Sequence, residues 1–438
     1  MGGPLVHVLV INWNGVAHLQ DCFDSLLLQT YANARFILLD NASTDDSIAY
    51  VSSRYGSDPR VSVLSCGENL GWSRGNNLGI AKALEANADY IFLLNNDTAV
   101  AADAIEQLVS FAESHPNAGA IAPKMLLFDQ PFLINSIAIA CSPIAGAWDE
   151  GLGRCDGPRY AEPSMVLGVC GGAMLLKAAA LRVAGVLPED FEIYLDDLDL
   201  CLRIWDAGFE CWSCPAATVR HKFSATMGEG KRAQRKYYLN TRNRLRLMIR
   251  NFPSAKLFPA LAQFALNEAR AIGRATLDGA FWKVAAHIRS WFTTVFSLPR
   301  LLRQRRNRYG VHGRFWNHIS EDATFFPGIA LPVNGWYEPK TIGSLAVKPI
   351  SARAWTVLSQ GRLRVTHANC YPRCGATRVN VINNGRNLGL LSTTSSGIDE
   401  FSIDEGEVSF ESDRVFLAEE TGEPCDIGGW LHLEHFPS

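Results

Sequence analysis

Apolar runs alternate with helix-forming segments through the first 125 residues, and this alternation constrains the fold more than any other feature of the sequence. Runs typical of buried strands occupy residues 6–11, 36–39, 61–64 and 90–94. Segments with helical spacing of apolar residues follow at residues 16–28, 47–55, from the turn at 69–77 to residue 88, and 101–114. This order predicts an α/β domain with a mostly parallel sheet and right-handed crossovers.

Two of these strands end in polar residues that could form a site. Asp40 follows the second strand, and Asn95, Asn96 and Asp97 follow the fourth. Open α/β sheets bind ligands outside the carboxyl ends of their strands, and oxygen ligands there suit Mg²⁺ or Mn²⁺ with a phosphate. A strand-end turn explains each feature equally well when it is taken alone. The acidic cluster of residues 196–199, Asp-Asp-Leu-Asp, favours a functional site.

Composition excludes several classes of protein. The chain has 438 residues, is 47% hydrophobic and 19% charged, and has a formal net charge of -3. These values indicate two or three folded domains, and they argue against a surface devoted to nucleic acid. The 11 cysteines are scattered and odd in number, which favours reduced thiols. The pairs Cys211/Cys214 and Cys370/Cys374 are weak zinc signals.

The rest of the chain divides into three predicted regions. The α/β domain is expected over residues 1–250, a helical segment over 251–325 and an all-β, sandwich-like module over 326–438. A proline-containing linker at 320–333 separates the last two. The amino terminus lacks the pattern of a signal peptide, and no apolar run reaches the ~18 residues of a spanning helix. We therefore expect a cytoplasmic protein that is in solution or lies on the inner face of the cell membrane.

Several motifs in this order resemble those of the family 2 glycosyltransferases of GT-A fold, in particular bacterial rhamnosyltransferase-like and galactofuranosyltransferase-like members. The likeness covers residues 6 to about 250. It lies in five segments, at residues 12–15, 39–45, 69–79, 95–97 and 196–199. Two departures stand out. Asn95 occupies the first position of the family's metal-binding Asp-x-Asp motif. The Gln-x-x-Arg-Trp signature of processive members is absent, and residues 235–243 stand in its place, which favours addition of one sugar per encounter.

The resemblance assigns donor-side roles to six residues. It implies that Asp97 and His221 hold a Mg²⁺ or Mn²⁺ ion, with Asn95 contributing a carbonyl oxygen or acting through water. Asp40 is expected to accept a hydrogen bond from the imide N–H of uracil or thymine, because an ionised carboxylate only accepts. The alternatives are a surface histidine at 221 and a helix cap at 40. Two asparagines are expected to line the nucleotide pocket, Asn14 and Asn69.

Acceptor-side roles fall on the acidic cluster and a glycine pair. Asp197 is expected to be the general base, because an inverting enzyme needs one carboxylate near the attacking hydroxyl. Asp196 is implied to contact the acceptor, and Asp199 to orient or cap the following helix. Gly171 and Gly172 would let backbone amides approach the donor or acceptor closely.

Together these features predict an inverting, non-processive glycosyltransferase of cell-surface polysaccharide synthesis. The expected donor is dTDP-rhamnose, with a UDP-sugar as second choice, and the expected acceptor is a glycan or a lipid-linked glycan. No nucleic-acid partner is expected, and homo-oligomers are compatible with the sequence. Two alternatives remain. A nucleotidyltransferase is disfavoured, because no glycine-rich basic loop follows the first strand. A non-catalytic carbohydrate-binding protein would use aromatic residues of the C-terminal module, which equally suit its core.

Two basic segments allow more than one interpretation. Residues 232–250 could hold a diphosphate or form a solvated helix face. Residues 255–308 combine aromatic residues with arginines, and they could lie on an anionic membrane, pack on the catalytic domain or contact another subunit.

Overall fold

The computed structural model describes residues 3–222, 231–306, 313–320, 340–342, 345–350, 353–368, 377–392, 397–412 and 429–437. The chain forms two compact units. The first contains residues 1–128, 135–150 and 158–326, and the second contains residues 129–134, 151–157 and 327–438. The predicted three-part division of the chain stays a prediction.

The first unit is an α/β structure. Its strands are β1 (Val6–Asn12), β2 (Ala34–Asp40), β3 (Val61–Ser65), β4 (Tyr90–Asn95), β5 (Thr98–Val100), β6 (Ala118–Leu127), β7 (Ile134–Ser136), β8 (Ala138–Cys141), β9 (Ala147–Glu150), β10 (Ser164–Met165), β11 (Ala173–Lys177) and β12 (Glu210–His221). Its helices are α1 (Val16–Leu27), α2 (Ser47–Tyr55), α3 (Gly71–Glu85), α4 (Ala104–Ser114), α5 (Ala178–Ala184), α6 (Asp196–Asp206), α7 (Lys231–Asn251), α8 (Ser254–Leu277) and α9 (Phe281–Arg306).

The central sheet has the strand order β10-β12-β6-β11-β4-β1-β2-β3. Strands β1 to β4 pair in parallel, as do β6 and β12, whereas β11 runs antiparallel between β4 and β6. The prediction of an α/β fold with a mostly parallel sheet is therefore confirmed. Residues 209–214 and 217–219 are each predicted as a short strand from the sequence, and the structure joins them in β12, which continues through Pro215 with an irregular register between Cys214 and Thr218.

Side chains alternate between the two faces of the sheet, as strand geometry requires. In β1, Val8 and Val10 pack into a core with α1, α2 and α4, while Leu9 and Ile11 pack into a core on the other face. This second core also contains residues of α7, α8 and α9, such as Leu245, Phe264 and Leu301. The helical segment after residue 250 thus shares a core with the sheet.

None of the helices in the described part of the chain has both the length and the apolar composition that crossing a bilayer requires. The helical segment predicted over 251–325 contains two long helices, α8 and α9, which a short turn at residues 278–280 connects.

The second unit is built from β-strands, as predicted. They are β13 (Lys340–Ile342), β14 (Leu345–Ile350), β15 (Arg353–Leu358), β16 (Gly361–Ala368), β17 (Arg378–Asn383), β18 (Arg386–Ser392), β19 (Gly397–Ile403), β20 (Gly406–Ser412) and β21 (Gly429–Pro437). They form sheets of five and four strands around a core that includes Val365, Val381 and Phe410. Of the aromatic residues considered for sugar binding, Trp336 and Tyr337 lie outside the described residues.

Candidate active site

The carboxyl ends of the parallel strands bring the predicted donor-side residues to one edge of the sheet. The pairing of β1 aligns Asn12 with Asp40 of β2 and Ile11 with Asn95 of β4. Asp97 follows directly in the turn between β4 and β5. The two strand-end motifs are therefore neighbours in space, as the βαβ order predicts.

Asp40 is buried with one carboxylate oxygen unsatisfied. Its Oδ2 accepts a hydrogen bond from the Ser43 N–H at 3.1 Å, which is the turn contact expected of an aspartate before a helix. Its Oδ1 is buried and finds no hydrogen-bond partner among the described residues. A buried acceptor without a donor is costly, so this oxygen is suited to an N–H group brought by a ligand.

Asn14 and Asn69 shape the loops around Asp40. Asn14 Oδ1 accepts from the Thr44 N–H at 2.7 Å, and Asn69 Oδ1 accepts from the Asn41 side chain at 3.1 Å and the Gly71 N–H at 2.9 Å. Both asparagines are exposed. Their observed contacts are with protein loops, and their exposure leaves them accessible to a ligand.

Asp97 and His221 form a compact polar cluster with Asn95. His221, at the end of β12, places Nε2 3.2 Å from Asp97 Oδ1 and 3.5 Å from Asn95 Nδ2. On the other side of the ring, Nδ1 lies 2.7 Å from Asn135 Oδ1. A carbonyl oxygen only accepts, so Nδ1 carries a proton, and Nε2 is the ring nitrogen that faces Asp97.

The electrostatics of this cluster favour a cation. Burial would raise the pKa of Asp97, but the hydrogen bond and charge of His221 outweigh burial and hold that pKa below its usual value. A carboxylate oxygen and an imidazole nitrogen that face each other fit a divalent cation, and the hydrogen bond from Nδ1 to Asn135 is typical of a metal-binding histidine. The side-chain carbonyl of Asn95 instead accepts from Trp72 Nε1 at 3.3 Å.

Within the described residues, no group of three or more His, Cys, Asp or Glu side chains could hold a metal ion. A metal ion bound here would therefore have two ligands from the described protein residues, the carboxylate of Asp97 and the imidazole of His221. Such sparse sites suit Mg²⁺ or Mn²⁺ when phosphate oxygens complete the coordination.

The glycine pair links this cluster to the acidic cluster. The Gly171 N–H donates to Asp197 Oδ2 at 2.9 Å, and the Gly172 carbonyl accepts from the Asn95 N–H at 3.0 Å. A Cβ atom at position 171 would lie 2.5 Å from the ring of Trp72. Glycine is therefore required at 171, because the backbone passes directly over the indole.

Asp197 and Asp196 open helix α6 in different environments. Asp197 is half-buried, whereas Asp196 is buried and accepts from Ser73 Oγ at 2.7 Å. Burial raises the pKa of Asp197 to about 6, against the hydrogen bonds from Gly171 and Leu198. Burial and the neighbouring charge of Asp197 raise the pKa of Asp196 to about 7. Of these two aspartates, Asp197 is the one that is partly open to solvent, since Asp196 is enclosed by protein.

A strained backbone segment leads into these aspartates. Glu192, Tyr194 and Leu195 have φ values of 67°, 70° and 63°, in the left-handed region that non-glycine residues rarely adopt. Asn243 of α7 stabilises the segment from its buried position. Its Nδ2 lies 3.0, 3.0 and 2.9 Å from the carbonyl oxygens of residues 191, 193 and 194.

The basic stretch of α7 also stabilises this segment. Arg242 and Arg246 are buried, and they donate to the backbone carbonyl of Asp190 at 3.1 and 2.7 Å. Arg242 also pairs with Glu192 at 2.8 Å. The sequence suggests either a solvated helix face or a diphosphate site for this stretch. Neither applies to Arg242 and Arg246, because both are buried and their guanidinium groups already bind protein acceptors.

Asp199 is an internal ion-pair partner. It is fully buried and accepts from Arg203 at 2.8 Å, Asn251 at 2.8 Å and Arg250 at 3.4 Å. These contacts connect α6 to the end of α7. Asp199 therefore binds side chains of α6 and α7, and its capping role stays a prediction.

Three residues of the site were not identified from the sequence. Trp72 lies in a recognised motif, but its contact with Asn95 was not anticipated. Asn135 and Asp149 lie in the irregular region after residue 126, where no periodic pattern indicates which side chains converge. Burial raises the pKa of Asp149, and the charge of Asp149 in turn raises the pKa of Asp197.

The cysteine pairs do not form a described zinc site. Cys211 and Cys214 are both buried free thiols of β12, and burial raises the pKa of each, which disfavours the thiolate that zinc requires. Cys370 and Cys374 lie outside the described residues.

Comparison with known proteins finds similarity to glycosyltransferases. Residues 7–162 match the model of glycosyl transferase family 2, and residues 90–302 match that of glycosyl transferase family group 2. The chain is 26% identical over 244 residues to an N-acetylglucosaminyl-diphospho-decaprenol L-rhamnosyltransferase of Mycobacterium tuberculosis, covering 50% of this chain and 77% of that protein.

Two further similarities are more limited. An uncharacterized protein of Sinorhizobium fredii is 27% identical over 52% of this chain, and the chain spans only 25% of its length. A mannosyltransferase of Pyrobaculum calidifontis, solved with GDP-Man and Mn²⁺, has a TM-score of 0.42 and 17% identity, covering 70% of this chain and 88% of that one. The two family matches together span residues 7–302, and through this region the chain is similar to the family 2 glycosyltransferases.

Proposed function

We propose that the protein is an inverting, non-processive glycosyltransferase that moves a sugar from a nucleotide diphosphate sugar to a hydroxyl of a glycan or lipid-linked acceptor. One observation carries the proposal. Gly171 contacts Asp197, while the adjacent Gly172 contacts Asn95 beside Asp97 and His221. The proposed base Asp197 and the proposed cation site at Asp97 therefore both border the Gly171–Gly172 backbone, although they would act on opposite sides of the anomeric carbon.

On the donor side, Asp40 receives the imide N–H of the base through its unsatisfied Oδ1. Asn14 and Asn69 hold the loops that surround the nucleotide. Asp97 and His221 are the residues that would hold Mg²⁺ or Mn²⁺, which when bound stabilises the negative charge of the departing diphosphate. Asn95 positions the cluster through its contacts with Trp72 and His221, and it reaches the cation only if its amide turns.

On the acceptor side, Asp197 removes the proton of the attacking hydroxyl as its oxygen bonds to the anomeric carbon. The bond from that carbon to the diphosphate oxygen breaks, and the diphosphate leaves with the electron pair. The raised pKa of Asp197 suits this role, because a base that titrates near the working pH accepts a proton more readily than an ordinary aspartate. We assign Asp196 a positioning role through Ser73.

The donor and acceptor are proposed from similarity. The mycobacterial relative is named as a rhamnosyltransferase that acts on a diphospho-decaprenol-linked sugar. We therefore place dTDP-rhamnose first as donor and a UDP-sugar second, in the synthesis of cell-surface polysaccharide. Nucleotide sugars of this kind imply a cytoplasmic reaction, and a lipid-linked acceptor would bring the enzyme to the inner face of the cell membrane.

The test is a panel of nucleotide sugars incubated with the purified protein and Mn²⁺ or Mg²⁺, with release of nucleoside diphosphate as the readout. We expect slow release with one donor, faster release when its acceptor is added, and loss of release with a chelator. If no nucleotide sugar binds or is cleaved, and a candidate glycan binds unchanged, the non-catalytic alternative replaces this proposal.

A further inference from the structure

Helix α9 presents an apolar stripe to solvent. At about 100° of rotation per residue, the members of this stripe fall on one face of the helix. They are Phe281, Ile288, Phe292, Val295, Phe296 and Leu302. The rings of Phe292 and Phe296 are in contact, with centroids 4.6 Å apart, and they are 63% and 71% exposed. The aromatic pair thus forms a patch rather than scattered single residues.

The turn between α8 and α9 extends this apolar surface. Leu277, the last residue of α8, is 90% exposed, and Phe281 and Trp282 follow across the turn with exposures of 67% and 38%. Helix α8 adds Phe258 and Leu266, which are also exposed. Soluble monomers rarely display large contiguous apolar patches without a partner.

The opposite face of α9 is fixed by the fold. Ala286, Ser290 and Leu301 are buried, and Ser290 Oγ donates to the Tyr238 carbonyl of α7 at 3.2 Å. His287 is buried between Tyr237 and Glu268, at 2.7 and 2.5 Å. The orientation of α9 is therefore set by α7 and α8, and the exposed stripe is a consequence of this packing.

Positive charge surrounds the stripe. Residues 254–306 contain nine arginine and lysine residues and two acidic residues, although the whole chain has a net charge of -3. One of the two acids, Glu268, is buried against His287. Four exposed arginines form no ion pair within the described part of the chain: Arg270, Arg274, Arg300 and Arg303.

The positive charge decides between two candidate partners for this surface, a second copy of the chain and an anionic membrane. A symmetric contact between two copies would bring this basic surface against itself, and like charges would oppose the contact. An anionic lipid surface offers both apolar depth and negative headgroups, which is the combination that interfacial helices with basic flanks recognise.

We propose that the exposed apolar face of α9 and the turn between α8 and α9 dock on an anionic lipid membrane surface. The aromatic stripe enters the boundary between headgroups and acyl chains, and the flanking arginines contact the phosphates. The segment lies on the bilayer, in keeping with the finding that no described helix is suited to cross it. The protein would then meet a lipid-linked acceptor at the surface that holds it.

The test is flotation of the purified full chain with large unilamellar vesicles and needs no sugar substrate, so its outcome is independent of the glycosyl transfer reaction. One set of vesicles contains phosphatidylglycerol and phosphatidylcholine in equal parts, and the other contains phosphatidylcholine alone. We expect binding to the first set, weakened by salt, and little binding to the second. Replacing both Phe292→Glu and Phe296→Glu should reduce partition on the order of 100-fold. Replacing Arg300→Gln and Arg303→Gln should reduce it about fivefold for each charge.

Val183→Glu is the matched control, because Val183 is an exposed apolar residue of another helix in the same unit, at 66% exposure. It should bind vesicles as the unmodified protein does. The proposal is overturned if the unmodified protein does not bind anionic vesicles, or if the double phenylalanine variant binds equally well. It is also overturned if light scattering shows a dimer that this variant dissociates while vesicle binding is absent.

Discussion

Replacing Asn243 with alanine should separate catalysis from donor binding. The buried Asn243 amide lies 2.9 to 3.0 Å from three carbonyl oxygens of residues 191–194, the segment that leads into Asp197. Three residues here, Glu192, Tyr194 and Leu195, have left-handed φ values. Each such residue costs about 1–3 kcal/mol and persists only when its surroundings hold it.

The magnitude follows from these contacts. A buried hydrogen bond contributes about 1 kcal/mol, and an unsatisfied buried carbonyl costs about 1–3 kcal/mol. The loss of the amide should therefore reduce the free energy of unfolding by about 3 kcal/mol. Relaxation of Tyr194 and Leu195 to negative φ would displace the start of α6, and a shift of about 1 Å in a catalytic group costs on the order of 100-fold in rate. The proposed donor site lies at the strand ends and should be unaffected.

The assay compares kcat for nucleoside diphosphate release with the donor dissociation constant from calorimetry. Asn243→Ala should lower kcat about 100-fold and leave the dissociation constant within about twofold. Asn240→Ala is the matched control, since Asn240 lies on the same helix and, among the described residues, donates to the Lys236 carbonyl of its own helix alone. Asn243→Asp should be worse than Asn243→Ala, because a carboxylate would face carbonyl oxygens. Equal effects at 240 and 243, or a parallel loss of donor binding, would refute the reasoning.

Three further predictions test separate parts of the structure. Asp199→Ala leaves the buried Arg250 and the partly buried Arg203 without their shared carboxylate and should lower the free energy of unfolding by about 3–5 kcal/mol in thermal or urea melts, with Asp199→Asn milder. Asn135→Ala releases the Nδ1 side of His221 and should weaken Mn²⁺ binding about 10- to 100-fold, measured by paramagnetic resonance of free Mn²⁺. We expect kcat/KM to be at its maximum above the pKa of Asp197, which is about 6, and to fall as the pH drops through that pKa. The reason is that only the ionised carboxylate accepts a proton. Asp149→Asn should move this fall to lower pH, since the Asp149 charge raises that pKa.

The strand-end residues could be predicted because local pattern determines them. An apolar run that ends in Asp40 or Asn95 indicates both the strand and the edge of the sheet that its last residue occupies. The prediction of where strands begin was less accurate. β2 starts at Ala34 and not at residue 36, because Arg35 alternates outward and interrupts the apolar run. The sequence predicts two short strands where the structure has the single strand β12, because Pro215 lacks an N–H. The chain accommodates this proline at an irregularity in the register.

The partners of the basic helix could not be predicted, because they depend on contacts distant in sequence. Arg242 binds Glu192, 50 residues earlier, and Arg250 binds Asp199, 51 residues earlier. A run of arginines has the same sequence pattern whether it faces water, a phosphate or a buried carboxylate. Asn135 and Asp149 were missed for a related reason, since they lie in short strands without a clear alternation and approach the site only through tertiary folding.

The most direct test of the central claim, that Asp197 deprotonates the acceptor beside a cation site at Asp97 and His221, is the Asp197→Asn variant assayed with donor, Mn²⁺ and acceptor. The amide keeps the shape of the side chain but is not a base, so transfer should fall on the order of a thousandfold. The dissociation constant for the nucleotide sugar should change little. Transfer at near the original rate, or loss of donor binding equal to the loss of transfer, would contradict the account.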